Sequence, residues 1–397
     1  MSEAVWVIGA SMLPVRRYPD KDVIDLASEA ALAALADSGT TMKQQQMLAS
    51  GCLMGGAIGQ SITKQIGQYG VPVYNVANAC ATGATAIRVV HMAIKAGEID
   101  MGIAVGAEQM GKAGLLGVRP PRGGNVYERH GRYGEVMDPE GVIGSGTMPA
   151  TFAQAGMEYS AKYDGVGFEQ FAKVAEKSHA HSVLNPFAQY RKKYSLEEIM
   201  NSTMIAYPNT LPMCCPTGDS AAAVVLVSDS KLKTLPLEVQ NRAVKISAGV
   251  LTSDPYVDGI NETTDVNTVT RMAADQAYEI AGVGPQDLNL VELHDCFASA
   301  ELLHYDNLRL CEPGGAGAFI DAGHPYRDGK TPVNVSGGLV SKGHPIGMTG
   351  VGGVFEVTQH LRGEAGDRQI PGAKVGMAHV IGLGSSCGIH ILEKRAV

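Results

Sequence analysis

Cys80 stands where an apolar strand-like run, VYNVANA (73–79), meets a run of small residues, ATGATA (81–86), that reads as the start of a helix. A thiol there meets unpaired backbone N–H groups and the positive end of the helix dipole, which favour thiolate. The placement predicts a nucleophile of lowered pKa, although a cysteine is also a common small buried hydrophobe. His294-Asp295-Cys296 closes a second strand-like run. Its histidine and cysteine are two apart and share a face if the strand continues, so one site could hold an imidazole and a thiol. In Ser341-Lys342-Gly343-His344-Pro345-Ile346-Gly347, glycine and proline fix a turn before a helix, and the histidine so held can act as a base near neutral pH. The run from His379 through Gly382 to Gly388 offers backbone N–H donors for an oxyanion. Residues 384–388 also fit G-x-S-x-G, but Ile389–Leu392 reads as a strand, whereas a serine nucleophile elbow turns into a helix.

Other signals are weaker. The seven cysteines are an odd number without a CxxC pair, so neither a disulfide framework nor a zinc site reads out. Cys214-Cys215 reads as packing, and His179 and His181 read as a solvated helix face. No G-x-x-x-x-G-K-[ST] phosphate loop is present, and Asn201, Asn261 and Asn334 fit the glycosylation pattern by chance.

The elements that must position these residues come as a duplication. Val5–Ala10, the Ala-rich helical stretch 26–39 and the apolar run 47–54 return as Val244–Val250, 270–284 and 288–297. Residues 71–108 read as strand, turn, small-residue helix and strand, and 331–382 repeat that order. Each half closes on one more apolar strand, 220–228 and 387–393. Strands alternating with helices predict an α/β fold with sheets covered on both faces. The stretch between breaks the period and reads as an insertion, with a Gly/Pro/Arg-rich piece at 117–134. The expected divisions are 1–110 and 218–240 for the first half, 111–217 for the insertion and 241–397 for the second half.

With 45% hydrophobic and 18% charged residues and a formal net charge of −8, the chain has a globular composition. An acidic chain without a basic run argues against nucleic acid as a partner. No apolar stretch reaches the roughly 20 residues that span a bilayer, and the N-terminus lacks a signal-peptide pattern. A cytoplasmic protein without membrane insertion is expected.

Taken together, the motifs resemble the thiolase superfamily, most closely the sterol carrier protein X (lipid-transfer-protein) type. The resemblance rests on NACATGATA (78–86), LHDCF (293–297), GGLVSKGHPIGMTG (337–350), HSVLNPFAQYRKKYSLEEIM (181–200) and CCPTGDSAAAVVL (214–226), and it covers essentially the whole chain. It implies the duplicated five-layered αβαβα thiolase fold with an inserted loop domain, and acyl transfer to and from coenzyme A as a substrate, with no permanently bound cofactor and no metal. Cys80 would carry the acyl group, His344 would serve as its base, Cys296 would act as acid and base at the α-carbon, and His294 would steady the enolate. The backbone N–H groups of Cys80 and Gly382 would form an oxyanion hole. The family's C-terminal catalytic CxG cysteine is replaced by Val380, which leaves Cys387 structural. The resemblance also implies a homodimer or homotetramer. A Claisen-type acyltransferase or retro-aldolase working with a small partner protein, and an idle acyl-CoA or lipid binder, are the alternatives. The lipid-binding domain of that branch is not expected among residues 1–397.

Overall fold

A computed structural model describes residues 3–111, 147–255, 266–383 and 386–395. The Gly/Pro/Arg-rich piece 117–134, the Asn261 motif and Gly384-Ser385 lie outside the described residues.

The first half begins with β1 (Val5–Met12), helix α1 (Val23–Asp37), β2 (Leu48–Gly51) and helix α2 (Gly59–Ile66). It continues through β3 (Val73–Val76), helix α3 (Thr82–Lys95) and β4 (Met101–Gln109). Helices α4 (Thr147–Lys162) and α5 (Phe168–Ser182) and the hairpin β5 (Met204–Ala206) and β6 (Asn209–Thr210) come next, before β7 (Asp219–Ser228). The second half holds β8 (Val244–Thr252), helix α6 (Val266–Ala281), β9 (Leu290–Glu292), helix α7 (Ala298–Asn307) and helix α8 (Gly338–Lys342). Helix α9 (Ile346–Arg362), β10 (Val375–Gly382) and β11 (Ser386–Lys394) complete it.

The strand order β3-β2-β4-β7-β1-β8-β11-β10-β9 is a duplication laid end to end. In the first half β3, β2 and β4 run parallel, and β7 and β1 antiparallel to their neighbours. The second half repeats that pattern with β9, β10, β11 and β8. The two sheets join through only three residue pairs, Val5–Val7 with Val244–Ile246. The strand expected at 331–335 is reduced to one parallel bridge, Val291 with Val333. Pro332 lacks an N–H for a ladder, and Asn334 turns the chain at φ +52°.

Near-continuous apolar strands follow from sheets covered on both faces, and all ten residues of β7 are buried. Helix α1 covers one face of the first sheet, and α6 covers the outer face of β8 and β11. Helices α3 and α9 lie between the sheets, α9 touching β4 and β7 of one and β10 and β11 of the other. The layers therefore run helix, sheet, helix, sheet, helix.

The central helices can share that layer because their contact is made by backbone and the small Ala84 side chain. A Cβ on Gly83 would lie 2.7 Å from the Gly347 carbonyl oxygen, and one on Gly350 would lie 2.3 Å from the Ala84 nitrogen. These clashes are with backbone, which has nowhere to move. Gly83→Ala is expected to destabilise the protein by at least about 2 kcal/mol in urea unfolding, within the usual overpacking range. Gly353→Ala, on the same helix α9 with only the Ala378 Cβ at 3.4 Å, should change stability by no more than about 1 kcal/mol. Equal costs at the two positions would contradict the backbone-contact account.

Candidate active site

Each central helix presents one reactive side chain just ahead of its first turn. Cys80 follows β3 and precedes α3, on a turn in which Ala79 has φ +46°. Ala81 N–H bonds the Asn78 carbonyl at 3.0 Å, and Thr82 N–H bonds the Ala79 carbonyl at 3.1 Å. His344 precedes α9. Gly343 reaches φ +108°, which only glycine adopts freely, and a Cβ there would lie 2.7 Å from Val15 Cγ1.

His344 Nε2 lies 3.2 Å from Cys80 Sγ, and its Nδ1 lies 2.7 Å from Thr349 Oγ1. Thr349 donates its hydroxyl proton to the Pro345 carbonyl at 3.0 Å, so it accepts from His344 Nδ1–H. This network assigns the Nδ1–H tautomer and leaves the Nε2 lone pair facing the thiol. His294 completes the cluster: ligating atoms of Cys80, His294 and His344 all lie within 4.8 Å of one another. The His294 and His344 rings meet edge to face at 5.2 Å. Among the described residues, His294 has no hydrogen-bond partner on either ring nitrogen.

Burial governs the charge state. It pushes the Cys80 thiol up to about 12, with the Glu108 carboxylate adding to the shift, and it pulls His344 down to about 4. The sequence expectation of a resting thiolate is therefore corrected: desolvation outweighs the helix terminus, and the resting pair is neutral thiol with neutral imidazole. His294 is held well below its ordinary value by burial and by His344, His304 and His379.

The backbone after β9 sets His294 and Cys296. Leu293 N–H bonds Asn334 Oδ1 at 2.8 Å, and Asn334 Nδ2 bonds Glu301 at 2.7 Å. The fully buried Lys177 pairs with Glu301 at 2.8 Å. Asp295 accepts the N–H groups of Leu339 at 2.6 Å and Val340 at 3.5 Å, tying this segment to the one that leads into His344. Cys214 bridges Phe297 in antiparallel fashion, and Cys215 N–H bonds the Cys296 carbonyl at 2.9 Å. Cys215 and Cys296 are thus opposed across that bridge, and burial pushes both thiols well up, with Cys80 a contributing neighbour in each case. Cys215, read from sequence as packing, belongs to the surroundings of the site.

Gly382 ends β10 against the Cys80 turn. A Cβ there would lie 2.5 Å from the Asn78 carbonyl oxygen, and Ser386 Oγ donates to that same carbonyl at 3.2 Å. Cys387 is a buried free thiol on β11. His179 and His181 are buried, which corrects the solvated reading. His179 bonds Ser341 Oγ at 3.1 Å and His181 the Asn334 carbonyl at 3.1 Å, so they pin α5 to the second half.

Sequence reasoning missed Thr349 and Glu108. The fully buried Glu108 accepts N–H groups from Leu53 at 3.0 Å, Met54 at 2.9 Å and Gly347 at 3.0 Å, joining the end of β4 to the start of α9. A single carboxylate closing the apolar run GIAVGAE (102–108) was its only signal.

Residues 5–199 match the family model described as thiolase, N-terminal domain, and residues 252–394 match thiolase C-terminal domain-like. The chain is 39% identical to sterol carrier protein 2 of Oryctolagus cuniculus over 98% of this chain and 72% of that protein. Its fold resembles the Ltp2-ChsH2(DUF35) aldolase, with TM-score 0.79 and 22% identity over 98% of both chains. It also resembles human mitochondrial 3-ketoacyl-CoA thiolase in complex with CoA, with TM-score 0.72 and 18% identity over 99% of this chain and 98% of that one. The chain belongs to the thiolase family, and it is an acyltransferase of thiolase type.

Thr349→Val keeps the shape while removing the acceptor of His344 Nδ1–H. It is expected to lower kcat by at least about tenfold, a fraction of what a positioned general base supplies, with KM little changed and with activity largely restored in Thr349→Ser. Equal activity in the valine and serine variants would contradict the assigned role.

Proposed function

We propose that the protein cleaves a 3-ketoacyl-CoA, of fatty-acyl or steroid side-chain type, with CoA to give acetyl-CoA or propionyl-CoA and a shortened acyl-CoA. The observation that carries this reading is the Cys80 Sγ to His344 Nε2 contact of 3.2 Å in a neutral pair. His344 takes the Cys80 proton as the sulfur attacks the substrate's C3 carbonyl, and the Cys80 and Gly382 backbone N–H groups hold the oxyanion. Collapse breaks the C2–C3 bond. The enolate, steadied by His294, takes a proton from Cys296 and leaves as acetyl-CoA or propionyl-CoA, and His344 returns its proton to the Cys296 thiolate. CoA then gives its thiol proton to His344 and attacks the acyl group on Cys80, whose departing sulfur recovers that proton.

The neutral pair supports this order because a high-pKa thiol is held as S–H until substrate is in place and becomes nucleophilic only as its proton moves. Retention of Cys80, His294, Cys296 and His344 favours thiolysis over a retro-aldol reaction, which does not need an acyl-carrying thiol. We propose a cytoplasmic homodimer or homotetramer. The seven free cysteines fit a reducing compartment, and among the described residues no helix is long and apolar enough to cross a membrane.

The test is CoA-dependent loss of the enolate absorbance of a medium-chain 3-ketoacyl-CoA. Wild type should consume it, and Cys80→Ala should be slower by at least about a hundredfold. A folded wild type that shows no loss, or a Cys80→Ala variant as fast as wild type, would contradict the reading and direct attention to an aldol substrate with a partner subunit.

A further inference from the structure

We infer that the Cys80, His294 and His344 cluster is also a binding site for a soft divalent cation, for which Zn2+ is the natural probe, and that the bound ion blocks the site reversibly. A tetrahedral zinc with Zn–S of about 2.3 Å and Zn–N of about 2.0–2.1 Å spaces its ligand atoms about 3.3–3.6 Å apart. Cys80 Sγ and His344 Nε2 already lie 3.2 Å apart, and His294 offers its nitrogen within the same 4.8 Å limit. Small side-chain rotations close the remaining gap.

The donors are prepared for a metal in three respects. His294 is 1% exposed and has no hydrogen-bond partner on either ring nitrogen among the described residues, so coordination satisfies a group otherwise left at a cost. His344 is oriented by its Nδ1–H bond to Thr349, as ligating histidines are oriented by an outer partner. The Glu108 carboxylate, which opposes a thiolate at Cys80, favours a cation there and balances the charge of a Zn2+–thiolate pair. Two imidazoles and a thiol select Zn2+ or Cd2+ over Mg2+ or Ca2+. Three protein ligands leave the fourth position open, as in accessible rather than closed structural sites.

The step needs no redox partner. The Cys80 S–H bond breaks, its proton leaves to solvent, and an Sγ–Zn bond forms while the two imidazoles donate their lone pairs. The ion thereby occupies the sulfur and the base together. The inference rests on the cluster's geometry and not on the identity of the acyl substrate.

The test uses the full-length protein stripped with a chelator and titrated with Zn2+ against a chromophoric competitor, with iodoacetamide labelling of Cys80 followed by mass spectrometry. One Zn2+ per chain should bind, and Cys80 labelling should slow by at least about tenfold and recover with EDTA. Mg2+ should have no effect. Outer-shell changes alone cost about 10–100-fold in metal affinity, so His294→Ala and, independently, Cys80→Ser should weaken binding by at least about tenfold. Absence of stoichiometric Zn2+, unprotected Cys80, or affinity unchanged in a folded His294→Ala or Cys80→Ser protein would overturn the inference. Neither readout uses a substrate, so a failed thiolysis assay and a failed zinc titration are separate results.

Discussion

Helices α3 and α9, from opposite halves of the chain, meet backbone to backbone through Gly83, Gly347 and Gly350, and the positions of Cys80 and His344 follow from that approach. A side chain in the contact would hold the two helix N-termini apart, and Cys80 and His344, 3.2 Å from each other, ride on those termini. Cys80 lies two residues before Thr82, and His344 lies two residues before Ile346. The same offset, 344 − 80 = 346 − 82 = 264, separates both pairs. The thiol and the imidazole thus occupy equivalent places in the two repeats. A duplicated fold brings equivalent helix ends together at its centre, and a different residue type at each end places a thiol against an imidazole within one chain.

The same central layer sets the electrostatics. With sheets on both sides and Glu108 beneath the Cys80 turn, charge on either partner is disfavoured, so the pair stays neutral at rest. Neutrality protects the half-buried Cys80 thiol from adventitious chemistry, because the thiolate is the reactive form. Thr349 holds the neutral His344 ring through Nδ1 at 2.7 Å. Asp295 and the Lys177–Glu301–Asn334 network do the corresponding work for His294 and Cys296.

Much of this was legible in the sequence because it is written locally. The alternation of apolar strands and Ala-rich helices gave the two halves, and the small residues after Cys80 marked a helix packed against backbone. The strand-end placement of Cys80, the two-residue spacing of His294 and Cys296 and the Gly-His-Pro turn each point to a reactive group. What stayed hidden depends on contacts distant in sequence. The charge state of Cys80 depends on burial between two sheets, which a helix-dipole argument does not see. His179 and His181 look like a polar face until residues 334–341 close over them. Glu108 joins Leu53 to Gly347, and no local pattern marks such a reach. At Cys215 the deciding fact is cross-strand pairing with residues some 80 positions away, 296 − 215 = 81.

Docking of the two repeats produces a neutral Cys80–His344 pair. The most direct test is thiolate absorbance of the substrate-free enzyme as a function of pH, taken as the difference between wild type and Cys80→Ser. Because burial raises the folded-state thiol to about 12, the account predicts no Cys80 thiolate signal at neutral pH and a signal that is still rising above about pH 10, beyond the ordinary cysteine range. A titration complete below about pH 8, the signature of a thiolate–imidazolium pair, would contradict it.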